Sequence, residues 1–238
     1  MNNHGNLRKT VDSFVEGLKG IYGDSLVCAA LYGSGASGEH APRSSNINLA
    51  VVLKDTSMPS VKKASRLARK GKFLCINPVF FTEDYIKSST DVFPIEFLDI
   101  KENHIMLYGR DVFKDLDVDM RNLRFQCEQE LKSRILNIKK AYLRTSNKAF
   151  LKEILFKSLT SSLHILRNIV RLKGKPPSYK KEAVIDEVGR EFSVDVGSFR
   201  DILRARNGNL RLGRARIDEL FASFVATLEA ISGKVNGL

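Results

Sequence analysis

The chain has 238 residues, 43% apolar and 28% charged, a composition that can bury a real core and supports one large domain or two modest ones. Cys28, Cys75 and Cys127 are odd in number and share no CxxC spacing, which argues against a disulfide framework or zinc site. No apolar run approaches the roughly 18 residues of a membrane span and no apolar leader opens the chain, so the expectation is a reduced, cytoplasmic protein without membrane attachment.

Residues 7–21 predict an amphipathic helix, with Val11, Phe14, Val15, Leu18 and Ile21 at three- and four-residue spacing. LVCAALY, residues 26–32, is a short apolar run expected of a buried strand, and residues 47–53 form a second. A basic helix over residues 60–71 follows Pro59. PVFFT, residues 78–82, reads as a third strand and PIEFLDI, residues 94–100, as a fourth, with room for a short helix between them. From about residue 120 the strand signals stop. Helices fit residues 121–144, 148–173, 179–191, 197–206 and 214–231, with a breaker at KGKPP, residues 173–177.

Charge changes at the same place as period. Residues 1–119 hold 15 Lys+Arg and 15 Asp+Glu, whereas residues 120–238 hold 24 and 12, so the whole net charge of +12 lies in the second half. A domain boundary is therefore expected near residue 119. The excess suits a polyanionic partner such as nucleotide phosphates, nucleic acid or an acidic protein, and it equally suits a solvated surface.

GSGASG, residues 33–38, matches GxGxxG after a strand, with Asp55 downstream. A dinucleotide-binding crossover needs a dozen or so residues, including a helix. Only residues 39–45 separate Gly38 from Asn46, and Pro42 is among them, so no helix fits. What remains is strand, Gly-Ser turn, short loop and strand. A P-loop and a GxSxG elbow are absent from the sequence.

This arrangement resembles the nucleotidyltransferase superfamily, whose signature is a Gly-Ser pair followed by Asp-x-Asp on the next strand. The resemblance rests on Gly33-Ser34, on SNINL at residues 45–49, on Glu96 within PIEFL and on IMLYG at residues 105–109. The second half is similar to the C-terminal domain of aminoglycoside nucleotidyltransferases. The resemblance implies an α+β fold: a nucleotidyltransferase-like mixed sheet with helices over residues 1–119, then an all-α basic domain over residues 120–238. A nucleoside triphosphate would lie in a cleft between them. Gly33 would let backbone approach a phosphate and Ser34 would donate to it. Glu96 would be the third carboxylate, acting as base for an acceptor hydroxyl, and Arg204, Arg206, Arg211 and Arg214 would lean onto the triphosphate.

The chain departs from the family at two positions. Strand alternation sends residues 46 and 48 to one face, while Ile47 and Leu49 anchor the other. Those two positions hold Asn46 and Asn48 where aspartates are expected. An amide oxygen ligates Mg²⁺ but brings no charge, so a metal site made by Asn46, Asn48 and Glu96 would be degenerate and weak. As a strand residue, Asp99 would point away from Glu96.

Three readings follow. The first is a family member that binds nucleotide but transfers weakly or not at all. The second is a working enzyme that moves NMP from NTP to a hydroxyl of an acceptor the sequence does not name. The third is a non-enzymatic module that binds nucleic acid or protein through its basic half. Lys62, Lys63, Arg66, Arg69 and Lys70 form a further basic face on the second helix. His40, His104 and His164 are scattered and form no metal-binding pattern.

Overall fold

The computed structural model describes residues 3–37, 47–235 and 237–238. The chain divides into two compact units, Met1–Asp119 and Met120–Leu238.

The first unit opens with helix α1 (Asn3–Tyr22) and continues through strands β1 (Leu26–Tyr32) and β2 (Ile47–Leu53). Short helices α2 (Met58–Lys63) and α3 (Ser65–Ala68) lead to β3 (Ile76–Phe81). Helices α4 (Glu83–Ser88) and α5 (Pro94–Glu102) then precede β4 (His104–Gly109). The four strands form one sheet in the order β3-β2-β1-β4. β1 runs antiparallel to both of its neighbours and β2 runs parallel to β3, so the sheet is mixed.

Alternation divides the strand residues between two cores. Ala29, Leu31, Leu49 and Val51 pack with Val11, Phe14, Val15 and Leu18 of α1 and with Ala64, Leu67 and Phe73 of the α2–α3 segment. Cys28, Ala30, Ala50 and Val52 face the other way, against Ile86, Phe97, Ile100 and Phe113. Gly109 closes β4 with a φ of 77°, and a Cβ there would stand 2.0 Å from the Val27 carbonyl oxygen. The tight β1–β4 approach thus requires glycine.

Two local expectations fail. PIEFLDI is helix α5, not a strand. Pro94 sits in the first turn, where its missing N–H costs nothing and its fixed φ suits a helix, and Glu96 meets the positive end of the helix dipole. Pro94, Ile95, Phe97, Leu98, Asp99 and Ile100 are all buried. With almost every side covered, the run loses the helical period and imitates a buried strand. The fourth strand is instead His104–Gly109, which contains IMLYG. The basic segment expected as one helix over residues 60–71 is broken into α2, α3 and a 3₁₀ turn at Gly71–Phe73.

The second unit is entirely helical among its described residues: α6 (Met120–Leu143), α7 (Lys148–Arg171), α8 (Lys181–Phe192), α9 (Gly197–Arg206) and α10 (Arg214–Val235). Asn147 caps α7, its Oδ1 accepting from the Ala149 N–H at 2.9 Å and the Phe150 N–H at 3.3 Å. Leu123, Cys127 and Leu131 of α6, Leu155 and Leu159 of α7, and Phe224 and Leu228 of α10 are sealed in its core. The molecule is therefore α+β, a mixed sheet with helices followed by a helical unit. Among the described residues, no helix is long and apolar enough to cross a membrane.

Candidate nucleotide site

The glycine turn begins where β1 ends. Gly33 has a φ of 66°, in the left-handed region that disfavours side chains. A Cβ at Gly33 would also come within 3.2 Å of Nδ2 of Asn48. Conformation and space both select glycine. Its carbonyl oxygen accepts from the N–H groups of Ala36 at 3.0 Å and Ser37 at 3.1 Å. A third donor comes from far along the chain, where Nδ2 of Asn103 reaches the same oxygen at 3.0 Å.

Strand register lays four polar residues across this end of the sheet. Asn77 of β3 pairs with Asn48 of β2, Asn48 with Tyr32 of β1, and Tyr32 with His104 of β4. Paired residues share a face, here the one covered by α5. Ile47 and Leu49 are buried on the opposite face, leaving Asn48 half-buried beside the turn. Burial pushes the Tyr32 hydroxyl above its usual range, and the nearby Glu96 carboxylate adds to the effect. Glu96 is exposed in the first turn of α5, close enough to Tyr32 to act on its hydroxyl. Asp99, one turn on, is buried. The two carboxylates differ through helix packing and not through strand alternation.

Asn103 and His104 hold this corner together. Asn103 ends α5, its N–H donating to the Asp99 carbonyl, while its side chain grips Gly33. The His104 ring sets Nδ1 2.8 Å from the Ile100 carbonyl oxygen and Nε2 3.1 Å from Oδ2 of Asp111. Burial works against the Asp111 carboxylate. The Phe113 N–H, His104 and the Lys114 N–H outweigh it and hold the carboxyl below its usual range. His104 is thus engaged in structure. Tyr32 and Asn77 join the site through strand register and Asn103 through its reach to Gly33, and no local sequence signal marks them.

Asn46 lies outside the described residues, as do Glu39, His40, Ser45 and the side chain of Ser34. The donor set that remains is one amide, Asn48, and one carboxylate, Glu96. Among the described residues, no group of three or more His, Cys, Asp or Glu side chains is arranged to hold a metal ion. A two-metal centre relies on several carboxylates to hold its ions, and the described residues contribute one.

The four arginines expected at phosphates all belong to the second unit. Arg204 lies 3.7 Å from Asp201, Arg206 donates to the Thr160 hydroxyl, and Arg214 pairs with Asp218 at 3.1 Å while donating to the Ser146 carbonyl. Arg211 is exposed in the turn before α10. His164 of α7 stands 3.0 Å from an Arg167 guanidinium nitrogen.

No family model matches the chain, and no curated protein matches it. Among solved structures, one similar to it is the spectinomycin adenyltransferase AAD(9) from Enterococcus faecialis with ATP and spectinomycin. The two agree with a TM-score of 0.62 at 13% identity, over 99% of this chain and 100% of that one. At that identity the likeness is one of fold. The chain has a nucleotidyltransferase-like fold.

Proposed function

We propose that the first unit binds a nucleoside triphosphate at the glycine turn, and that nucleotidyl transfer there is weak or lost. The observation that carries this reading is the turn itself: Gly33 is left-handed, pressed against Asn48 and pinned by Asn103, and the Glu96 carboxylate acts on Tyr32, the residue before it. A closely approachable backbone and a neutral amide suit a phosphate group without repelling it. ATP in the similar adenyltransferase supports a nucleotide as the ligand class.

Chemistry is the weaker half. An amide at residue 48, and another in the sequence at residue 46, supply none of the negative charge that holds Mg²⁺ in active relatives. Losing a single transition-state contact costs roughly 10²–10³ in rate in other enzymes, and losing both charges costs at least that. Glu96 remains able to take a proton from an acceptor hydroxyl. Its place near Tyr32 favours a second reading, slow transfer with Glu96 as base.

Calorimetric titration with ATP and with GTP, each in Mg²⁺ and in EDTA, tests the proposal. Comparable binding in both conditions is expected. Binding that needs Mg²⁺ would transfer the weight to the slow enzyme, in which Glu96→Gln must abolish turnover. Silence in all four titrations would remove the nucleotide. The folded double variant Asn46→Asp/Asn48→Asp is expected to gain Mg²⁺ affinity, and no gain would overturn the account of the impairment.

A further inference from the structure

A second surface lies on the opposite face of the same sheet. Between Asp55 and Glu83 the chain holds six lysines and arginines, Lys62, Lys63, Arg66, Arg69, Lys70 and Lys72, and no acid. All six are exposed. Lys72 is occupied by the Ser13 hydroxyl and the Phe73 ring, and Lys63 lies near Asp55. Lys62, Arg66, Arg69 and Lys70 form no ion pair or side-chain hydrogen bond among the described residues. The rest of the first unit, by the same count, holds 9 Lys+Arg and 15 Asp+Glu, so its charge is strongly polarised.

Two of these cations, Lys62 and Arg69, line an apolar recess of about 690 Å³ walled by Met58, Val61, Ala64, Ala68 and Phe80. That volume is in the range of about 300–1,000 Å³ typical of binding pockets. Met58 stands at its edge, 77% exposed. Phe80 packs against the core shared with α1, whereas Asn48 lies on the α5 side. The recess is thus separate from the glycine turn.

We infer that this recess docks an acidic peptide segment of a partner protein, with one bulky apolar side chain in the pocket and flanking carboxylates on Lys62 and Arg69. The unpaired cations supply the charge complementarity, and the recess supplies the anchor. A concave apolar pocket accepts an inserted side chain. Single-stranded nucleic acid would call for several exposed aromatic faces on which bases stack, and Phe80 is the one aromatic lining the recess. A membrane surface would be met by a protruding apolar edge and not by a hollow one.

The test uses the full chain and a fluorescein-labelled peptide of glutamates and aspartates interrupted by two leucines. Three comparators are a peptide with serines for the leucines, a single-stranded oligonucleotide of equal charge, and phosphatidylcholine–phosphatidylserine vesicles. The leucine peptide is expected to bind at least about tenfold tighter than the serine peptide, in proportion to the apolar area buried. Lys62→Glu/Arg69→Glu should weaken it by about tenfold or more, and Met58→Ser should weaken it several-fold. All three side chains are exposed, so these variants retain the fold. The inference is overturned if the leucine peptide does not bind, if both peptides bind alike, or if the oligonucleotide or vesicles bind more tightly. None of these outcomes depends on nucleotide at the glycine turn.

Discussion

Two concentrations of positive charge in the molecule are built in opposite ways. Around α9 and α10, in the half that carries the net charge, four of the six arginines between residues 200 and 216 are met by acids of the same unit. Arg200 pairs with Asp186, Arg204 with Asp201, Arg214 with Asp218, and Arg216 with both Asp201 and Glu219. In the electrically neutral half, the α2–α3 segment has cations and no acid among residues 56–82. Net charge per half therefore does not report which cations are paired. What a surface offers to a partner depends on which cations are left without local acids, and an arginine tied to a carboxylate must release it before gripping a phosphate.

That contrast can be tested at three scales. The largest effect concerns whether the regions stand on separate supports. Gly109→Ala puts a Cβ against the Val27 carbonyl and the Cys28 Cα and forces an unfavourable φ. It should destabilise the first unit by about 3 kcal/mol or more. In a thermal melt followed by hydrogen exchange, protection should fall in the sheet and persist in α6–α10. Loss in both units together would mean that the two charge clusters share one cooperative framework.

An intermediate effect compares the charges themselves. At low salt, Lys62→Glu/Arg69→Glu should weaken binding of inorganic polyphosphate by about tenfold, and Arg204→Glu/Arg216→Glu by much less. Equal losses would erase the distinction. The smallest effect is a pH dependence at one ion pair of the second unit. Lys175 donates to Glu191 at 2.6 Å, and its hydrogen bond and charge hold that carboxyl below its usual range. A lowered folded pKa contributes stability that is present above the unfolded value near 4.3 and lost as pH falls through the folded one. Acid melts should therefore show a small loss below about pH 4 that is reduced in the Lys175→Met variant.

How much of this was legible depended on the range of the signal. The five long helices of the second unit declare themselves through apolar spacing, and β1 and β2 through short apolar runs. α5 did not, because burial on nearly all sides erased the period that separates helix from strand. The cue that was present, proline followed by glutamate in a first turn, is weaker than an apolar run. At the candidate site, the glycine turn and the alternation of Asn48 with Ile47 and Leu49 are local and readable. The row Asn77, Asn48, Tyr32, His104 is not, since it exists only once β4 is laid beside β1 and β3 beside β2. The grip of Asn103 on Gly33 spans 70 residues and has no local trace.

The three donors on the Gly33 carbonyl have one more consequence. A trans peptide is planar, with its C=O and N–H pointing opposite ways. Fixing the Gly33 oxygen toward Ala36, Ser37 and Asn103 therefore aims the Ser34 N–H in the contrary direction. Turning that peptide over would break three hydrogen bonds, at about 1 kcal/mol each. The Ser34 amide is a compass needle locked before any anion arrives, and a ligand that meets it spends nothing on orienting it.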